Sequence, residues 1–104
     1  MISGFGFFKI EGFDWDKGNL GHIKKHNVDY KECEEIFFNK PVFISKDKEH
    51  CKIEERLKVL GITNNNKLIF ISLTVRNNKI RVVTARIQNK KERVSFKKIG
   101  GEKE

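Results

Sequence analysis

The hydrophobic pattern of the chain changes its period near Val42, and this change limits the fold more than any other feature. Before that point apolar residues recur with helical spacing, whereas after it they alternate with polar residues. The segment Asp14–His26 is predicted to form a first helix. A second helix is predicted to begin at Asp29, because Glu32 completes a capping box, and to end before Pro41.

The alternating part of the chain predicts a sheet. Short runs with a period of two, separated in part by asparagine-rich turns, indicate these four strands: Val42–Ser45, Glu54–Gly61, Lys67–Val75 and Lys79–Ile87. Asn89 then begins a short basic helix that ends around Gly100. The predicted class is α+β, an antiparallel sheet of about four strands with two N-terminal helices on one face and a short C-terminal helix.

Length, charge and cysteine content restrict the classes of function. A chain of 104 residues is too short for a two-domain enzyme, and two cysteines cannot staple a secreted scaffold. No secretory signal peptide or membrane span is predicted, and the cysteine content fits a reducing compartment, so we expect a cytoplasmic protein. The formal net charge is +8, and residues 76–104 carry ten basic residues against three acidic ones, a surplus of +7. Such a local field attracts polyanions, although a solvated cationic surface would have the same composition.

Alternation within the strands assigns a set of polar side chains to the sheet face away from the helices, which we name the open face. These residues are Glu54, Arg56, Lys58, Ser72, Thr74, Thr84 and Arg86. In the last strand Val83, Ala85 and Ile87 are assigned to the helix side, so that Val82 shares the open face. Arg81 then has the opposite parity and would brace the strand edge or a helix.

Two interpretations of the open face stay open. It can be a cross-strand ladder of salt bridges, or it can be a site for an RNA phosphodiester. In the second case Arg56 and Arg86 converge on one phosphate, because arginine forks bind phosphate in bidentate fashion. Glu54 or Lys58 could then withdraw the proton of the ribose 2′-hydroxyl, which would attack the adjacent phosphorus without a metal ion.

Short motifs in a fixed order resemble a known family. The first half carries Phe13-Asp14-Trp15-Asp16-Lys17, Asn19, Lys25-His26 and Glu35-Ile36-Phe37. The second half carries Asp47-x-x-His50, Glu54-Glu55-Arg56 with Gly61, Ile80-Arg81-Val82-Val83-Thr84-Ala85-Arg86 and Glu92-Arg93. Together these motifs resemble BrnT-type toxins from about Phe13 to Arg93. The departures are Thr84 in place of a serine, Asn27 in place of a glycine, and an N-terminal extension.

The resemblance implies a ribonuclease toxin of a type II toxin–antitoxin pair, with a RelE-like fold and no metal or other cofactor. It implies RNA as the substrate and inhibition of translation as the effect. It also implies a BrnA-like ribbon-helix-helix antitoxin as the partner, with operator DNA bound only through the antitoxin complex. No membrane partner is expected, because no segment is apolar enough to span a bilayer. The chain is then one domain, 1–104, with an extension at 1–12, a toxin domain at 13–98 and a tail at 99–104. The extension is either an added edge strand or a leader.

The resemblance also distributes roles among the residues of the site. As catalytic candidates it favours Glu54 or Glu55, Arg56 and Arg86. Substrate-binding roles follow from the resemblance for Arg81, Lys25 and His26, and from the open face for Lys58 and Thr84. His22, His26, His50 and Cys51 lack the paired spacing of a zinc site, so no metal site is predicted. The alternative function is a non-catalytic module that binds nucleic acid or an antitoxin.

Overall fold

The computed structural model describes residues 10–47 and 55–100. Five strands and three helices follow one another in this part of the chain. In chain order they are β1 (Gly12–Phe13), α1 (Lys17–Lys24), α2 (Tyr30–Glu35), β2 (Phe43–Lys46), β3 (Leu57–Ile62), β4 (Leu68–Arg76), β5 (Lys79–Ile87) and α3 (Lys90–Gly100). The α+β class is confirmed. The last three strands begin within three residues of their predicted starts, whereas both N-terminal helices are shorter than predicted.

The sheet differs from the prediction in its strand number and direction. Its strand order is β1-β5-β4-β3-β2, and β1 pairs with β5 in parallel while the other pairs are antiparallel. The described residues therefore form a mixed sheet of five strands, not an antiparallel sheet of about four. The additional strand is only two residues long, so it carries no alternation that a sequence pattern could reveal. Ile10, just before it, is buried, so this part of the extension belongs to the fold.

Capping and turn chemistry explain where the helices and hairpins begin and end. Asp16, rather than Asp14, caps α1, because its carboxylate accepts a hydrogen bond from the Asn19 backbone at 3.0 Å. Asp29 caps α2 as predicted, and its backbone N–H donates to the Glu32 carboxylate at 3.0 Å. Left-handed backbone angles occur at the asparagines that end α1 and form the β-turns: Asn27, Asn66, Asn77 and Asn78.

One hydrophobic core lies on the helix side of the sheet. It joins Ile23 of α1 and Cys33 of α2 to the buried apolar side chains of the central strands, which include Ile69, Ile71 and Leu73. Cys33 is fully buried, and burial together with the acidic groups nearby raises the pKa of its thiol to about 12. None of the helices in the described ranges has the length and apolar character needed to span a bilayer.

A β-bulge in β5 corrects the predicted faces of that strand. Thr84 pairs with Ser72, but Leu73 pairs with Val82, so Val83 is an extra residue without a partner in β4. Val82 is buried in the core instead of sharing the open face. Arg81 pairs with Thr74 and lies on the open face, opposite to its predicted side. The prediction failed because an inserted residue reverses the alternation beyond it.

Candidate functional site

The open face consists of three rows of side chains that run across β3, β4 and β5. The register places Lys58, Ser72 and Thr84 in the middle row. Leu60, Phe70 and Arg86 form the row toward α3. The third row contains Thr74 and Arg81, and Arg56, which directly precedes β3, continues it. The Thr74 hydroxyl donates to the backbone carbonyl of Glu55 at 2.8 Å, which fixes the start of β3 against β4.

A cleft of about 350 Å³ opens at the row that holds Arg81. Its basic lining consists of Arg56, Arg76 and Arg81, and α1 contributes His22 to its wall. We name this feature the arginine cleft. It unites arginine residues from three successive strands or strand ends, because the β4 and β5 residues share the open face and Arg56 continues the same row.

Two aspartates orient Arg81 in the arginine cleft. Its guanidinium contacts the carboxylate of Asp16 at 2.8 Å and that of Asp14 at 3.5 Å. The hydrogen bond with Asp16 raises the pKa of Arg81. The pKa of Asp16 is lowered, first by the hydrogen bond from the Asn19 backbone and then by Arg81. The Arg81 side chain is 22% exposed, so it is partly screened from water yet reachable from the cleft.

Asn19 joins α1 to the strand that carries Arg81. Its side-chain amide donates to the carbonyl oxygens of Asp14 at 2.9 Å and of Val82 at 3.2 Å. Its side-chain oxygen accepts from the Asp16 backbone at 2.8 Å. Asn19 is buried, and these bonds satisfy its polar atoms. One asparagine thereby fixes both the aspartate pair and the edge of the cleft.

His22 places an imidazole at the edge of the middle row. Its Nε2 lies 3.1 Å from the Thr84 hydroxyl, and its ring meets the His26 ring edge-on with centroids 5.4 Å apart. His26 and Lys25 lie exposed at the C-terminal end of α1. His22 lines the arginine cleft. Lys25 and His26, the two residues that were predicted to bind substrate, do not.

Arg86 lies at the other end of the open face. Its Nη1 and Nη2 donate to the two carboxylate oxygens of Glu92, at 2.8 and 2.9 Å, and its guanidinium lies 4.2 Å from the centre of the Phe70 ring. The structure therefore brings Arg56 together with Arg76 and Arg81, and it does not bring Arg86 to the same cleft. The expectation that Arg56 and Arg86 share one phosphate is not met.

The acidic and lysine candidates have different positions. Glu54 lies outside the described residues. The carboxylate of Glu55 contacts Lys46 at 3.1 Å and does not line the arginine cleft. Lys58 is exposed in the middle row and close enough to Glu92 to lower the pKa of that carboxyl. Within residues 10–47 and 55–100, no three histidine, cysteine or acidic side chains are grouped so that they could hold a metal ion.

The fold and the cleft define the class: a small α+β protein whose mixed sheet carries an arginine-lined cleft on the face away from its main core. Residues 15–92 match the family model described as the ribonuclease toxin BrnT of type II toxin–antitoxin systems, and the chain belongs to that family. Its family is therefore one of ribonuclease toxins, with RNA as substrate and an antitoxin as partner. The resemblance seen in the sequence is confirmed. A search of the curated proteins finds no match.

Sequence reasoning missed two residues of the cleft. Arg76 has the same parity as Ser72 and Thr74, but the predicted strand ended one residue before it, at Val75. His22 was considered only as a zinc ligand. Its position beside Thr84 depends on the packing of α1 against β5, which neither residue's local pattern reveals.

Proposed function

We propose that the chain is an endoribonuclease that cleaves RNA without a metal ion and so inhibits translation. The observation that carries this proposal is the arginine cleft, where Arg56, Arg76 and Arg81 meet beside His22. Guanidinium forks match the oxygen atoms of a phosphate group and remain charged at any physiological pH. A guanidinium has five N–H donors, so the contacts of Arg81 with its two aspartates leave others for a phosphate.

The proposed reaction is an internal transesterification. The ribose 2′-oxygen forms a bond to the adjacent phosphorus, and the bond from phosphorus to the 5′-oxygen of the next nucleotide breaks. The products are a 2′,3′-cyclic phosphate and a 5′-hydroxyl, so neither water nor a cofactor is consumed. Negative charge grows on the phosphoryl oxygens in the transition state, and the arginine cleft stabilises it. DNA resists cleavage because it lacks the 2′-hydroxyl.

The reaction needs a base for the 2′-hydroxyl and an acid for the leaving 5′-oxygen. His22 is our candidate for one of these roles, since an imidazole accepts and donates protons near neutral pH. Its Nε2, 3.1 Å from the Thr84 hydroxyl, is already oriented toward the open face. Lys58 in the middle row and Glu54 are candidates for the other role.

A cleavage assay in EDTA tests this proposal. Wild-type protein is expected to cut a mixed-sequence RNA oligonucleotide and to leave its all-deoxy counterpart intact. Arg56→Gln and Arg81→Gln are each expected to lower the rate by roughly 10²–10³-fold, the usual cost of one transition-state donor. Lys97→Gln, in the last turn of α3, is the matched control: it removes one positive charge from an exposed residue outside the cleft and is expected to retain the wild-type rate.

Two outcomes would contradict the proposal. Wild-type protein that leaves RNA intact would refute it, and salt-sensitive binding without cleavage would support the non-catalytic module instead. Equal rates for wild type and both cleft variants would remove the arginine cleft as the active site.

For the partner, we propose a BrnA-like ribbon-helix-helix antitoxin, with operator DNA bound only through the complex of the two proteins. The support is membership of a toxin–antitoxin family together with the basic surface, which suits an acidic segment of a partner chain. Expression of the chain alone is expected to arrest growth, and co-expression with such an antitoxin is expected to relieve the arrest. Growth arrest that persists with the antitoxin present would contradict the pairing.

A further inference from the structure

Helix α3 returns onto the open face, at the end away from the arginine cleft. Glu92, in its first turn, contacts Arg86 and lies within electrostatic range of Lys58, and both basic residues belong to the open face. Phe96 lies one helical turn further on, on the same side of α3 as Glu92, and it is buried without belonging to the main core. The helix therefore covers the row that holds Arg86.

Arg86 binds the Glu92 carboxylate in the same geometry in which an arginine binds a phosphate ligand. Two parallel N–H···O bonds of 2.8 and 2.9 Å join the fork to the carboxylate, the arrangement that arginine also adopts with phosphate. The Phe70 ring supports the other side of the guanidinium at 4.2 Å. The Arg86 side chain is 35% exposed and Glu92 is 20% exposed, so solvent reaches the pair.

We propose that Arg86 on Phe70 is a second phosphate subsite for single-stranded RNA, and that the Glu92 carboxylate occupies it until RNA displaces it. The inference rests on the proposed function in taking RNA as the ligand. Arg86 would hold a phosphate of the same strand, away from the one that reacts.

The spacing of the rows agrees with one strand passing both sites. Arg81 pairs with Thr74 and Arg86 pairs with Phe70, which lies four residues before Thr74 in β4. At roughly 3.4 Å per residue, the two rows lie about 14 Å apart. This separation allows nucleotides to lie between the two arginines, over the middle row with its Ser72 and Thr84 hydroxyls.

The substitution Glu92→Gln is suited to test the competition. Besides contacting Arg86, the Glu92 carboxylate accepts a hydrogen bond from the Asn89 backbone at 2.9 Å, in a capping box at the start of α3. Glutamine keeps this acceptor but loses the charge and the second acceptor oxygen. The start of α3 is therefore preserved while its hold on Arg86 weakens. Glu11→Gln is the matched control, because it removes one negative charge from an exposed residue beside the start of β5, whereas Arg86 lies near the end of that strand.

Binding of a fully 2′-O-methylated RNA oligonucleotide, measured by fluorescence anisotropy, separates affinity from cleavage. Glu92→Gln is expected to bind about 2- to 5-fold more tightly than Glu11→Gln, the upper part of the range for a partly exposed ion pair. The slope of log affinity against log salt is expected to steepen by about 0.7, the value for one further phosphate contact on a single strand. In an Arg86→Gln background, Glu92→Gln is expected to add nothing beyond the control.

The results separate this inference from the proposed function. RNA cleavage by the wild type together with equal affinity and salt slope for Glu92→Gln and Glu11→Gln would overturn the inference and leave the function intact. A gain that persists in the Arg86→Gln background would also overturn it, because the gain would then not pass through Arg86. If Glu92→Gln binds RNA more tightly only when Arg86 is present, but the wild type does not cleave RNA, the subsite is supported and the proposed nuclease activity is refuted.

Discussion

Gly61 of β3 lies against Ile36, the residue that caps the end of α2, and its replacement by alanine tests that packing. A Cβ atom at this position would lie 2.7 Å from Cβ of Ile36, 3.0 Å from its Cδ1 and 3.2 Å from its Cγ1. Carbon atoms prefer separations of about 3.5–4.0 Å, so the strand and the helix would have to separate by roughly 0.8 Å. Rotation of the Ile36 side chain cannot relieve the closest contact, because a Cβ atom moves only with the backbone.

We therefore expect Gly61→Ala to lower the free energy of unfolding by about 2–3 kcal/mol, the upper part of the range for overpacked cores. For a domain of this size this corresponds to a fall in Tm of roughly 10–20 °C. Gly21→Ala is the matched control: no atom lies within 4 Å of its added Cβ, and it is in a helix. Alanine is the better helix former by about 0.5–1 kcal/mol, so this variant is expected to melt a few degrees higher than wild type.

Thermal unfolding followed by circular dichroism, with urea titration as a second measurement, checks both variants. Ile36→Val in the Gly61→Ala background is expected to restore part of the loss, because it removes Cδ1 but leaves the Cβ contact. A Tm of Gly61→Ala equal to or above that of wild type would refute the reasoning, since the backbone would then have absorbed the extra methyl group at no cost.

Three further predictions follow from single groups. Asn19→Ala is expected to lower the free energy of unfolding by about 2–3 kcal/mol, as urea titration would measure, because it leaves the buried carbonyl of Val82 and the partly buried backbone groups of Asp14 and Asp16 without their partner. In a Cys51→Ser variant the thiol of Cys33 is expected to resist iodoacetamide at pH 8 until the protein unfolds, because its pKa is raised to about 12. For Glu92, burial opposes ionisation, but the hydrogen bonds from Arg86 and the Asn89 backbone prevail and lower its pKa below the ordinary 4.5. A carboxyl group whose pKa is lowered by folding stabilises the fold at a pH above its ordinary pKa. This stabilisation is lost as the pH falls through the pKa of the folded state. The Tm difference between wild type and Glu92→Gln is therefore expected to shrink between pH 6 and pH 3.

Each of these predictions has a result that contradicts it. Asn19→Ala with wild-type stability would mean that water replaces the amide. Rapid labelling of folded Cys33 would show that α2 opens easily. A Tm difference for Glu92→Gln that stays constant or grows on acidification would show that the carboxylate gains nothing from Arg86 in the folded state.

Local chemistry explains why most elements could be predicted from the sequence. Capping residues and asparagine turns act within four positions, so Asp29, Asn77 and Asn89 predicted boundaries that the structure confirms. The core side of β4 was likewise predictable, because its apolar residues alternate without interruption from Ile69.

The site was less predictable, for a physical reason. A bulge adds one residue and reverses the faces beyond it, and Val83 resembles its neighbour Val82 too closely to reveal the insertion. Arg81 was therefore assigned to the opposite face. The sequence also predicted α3 without indicating that Glu92 would lie against Arg86, because the direction in which a helix leaves a strand is a tertiary property.

The short strand β1 has a practical consequence for anyone preparing this protein. The family match begins at Trp15, yet Gly12 and Phe13 hydrogen-bond along the outer side of β5 and Ile10 fills part of the interior. A recombinant fragment trimmed to the matched residues would leave the backbone of Lys79 and Ile80 open to another chain. Such a fragment would be prone to self-association, and its loss of solubility could be mistaken for toxicity or for a failed fold.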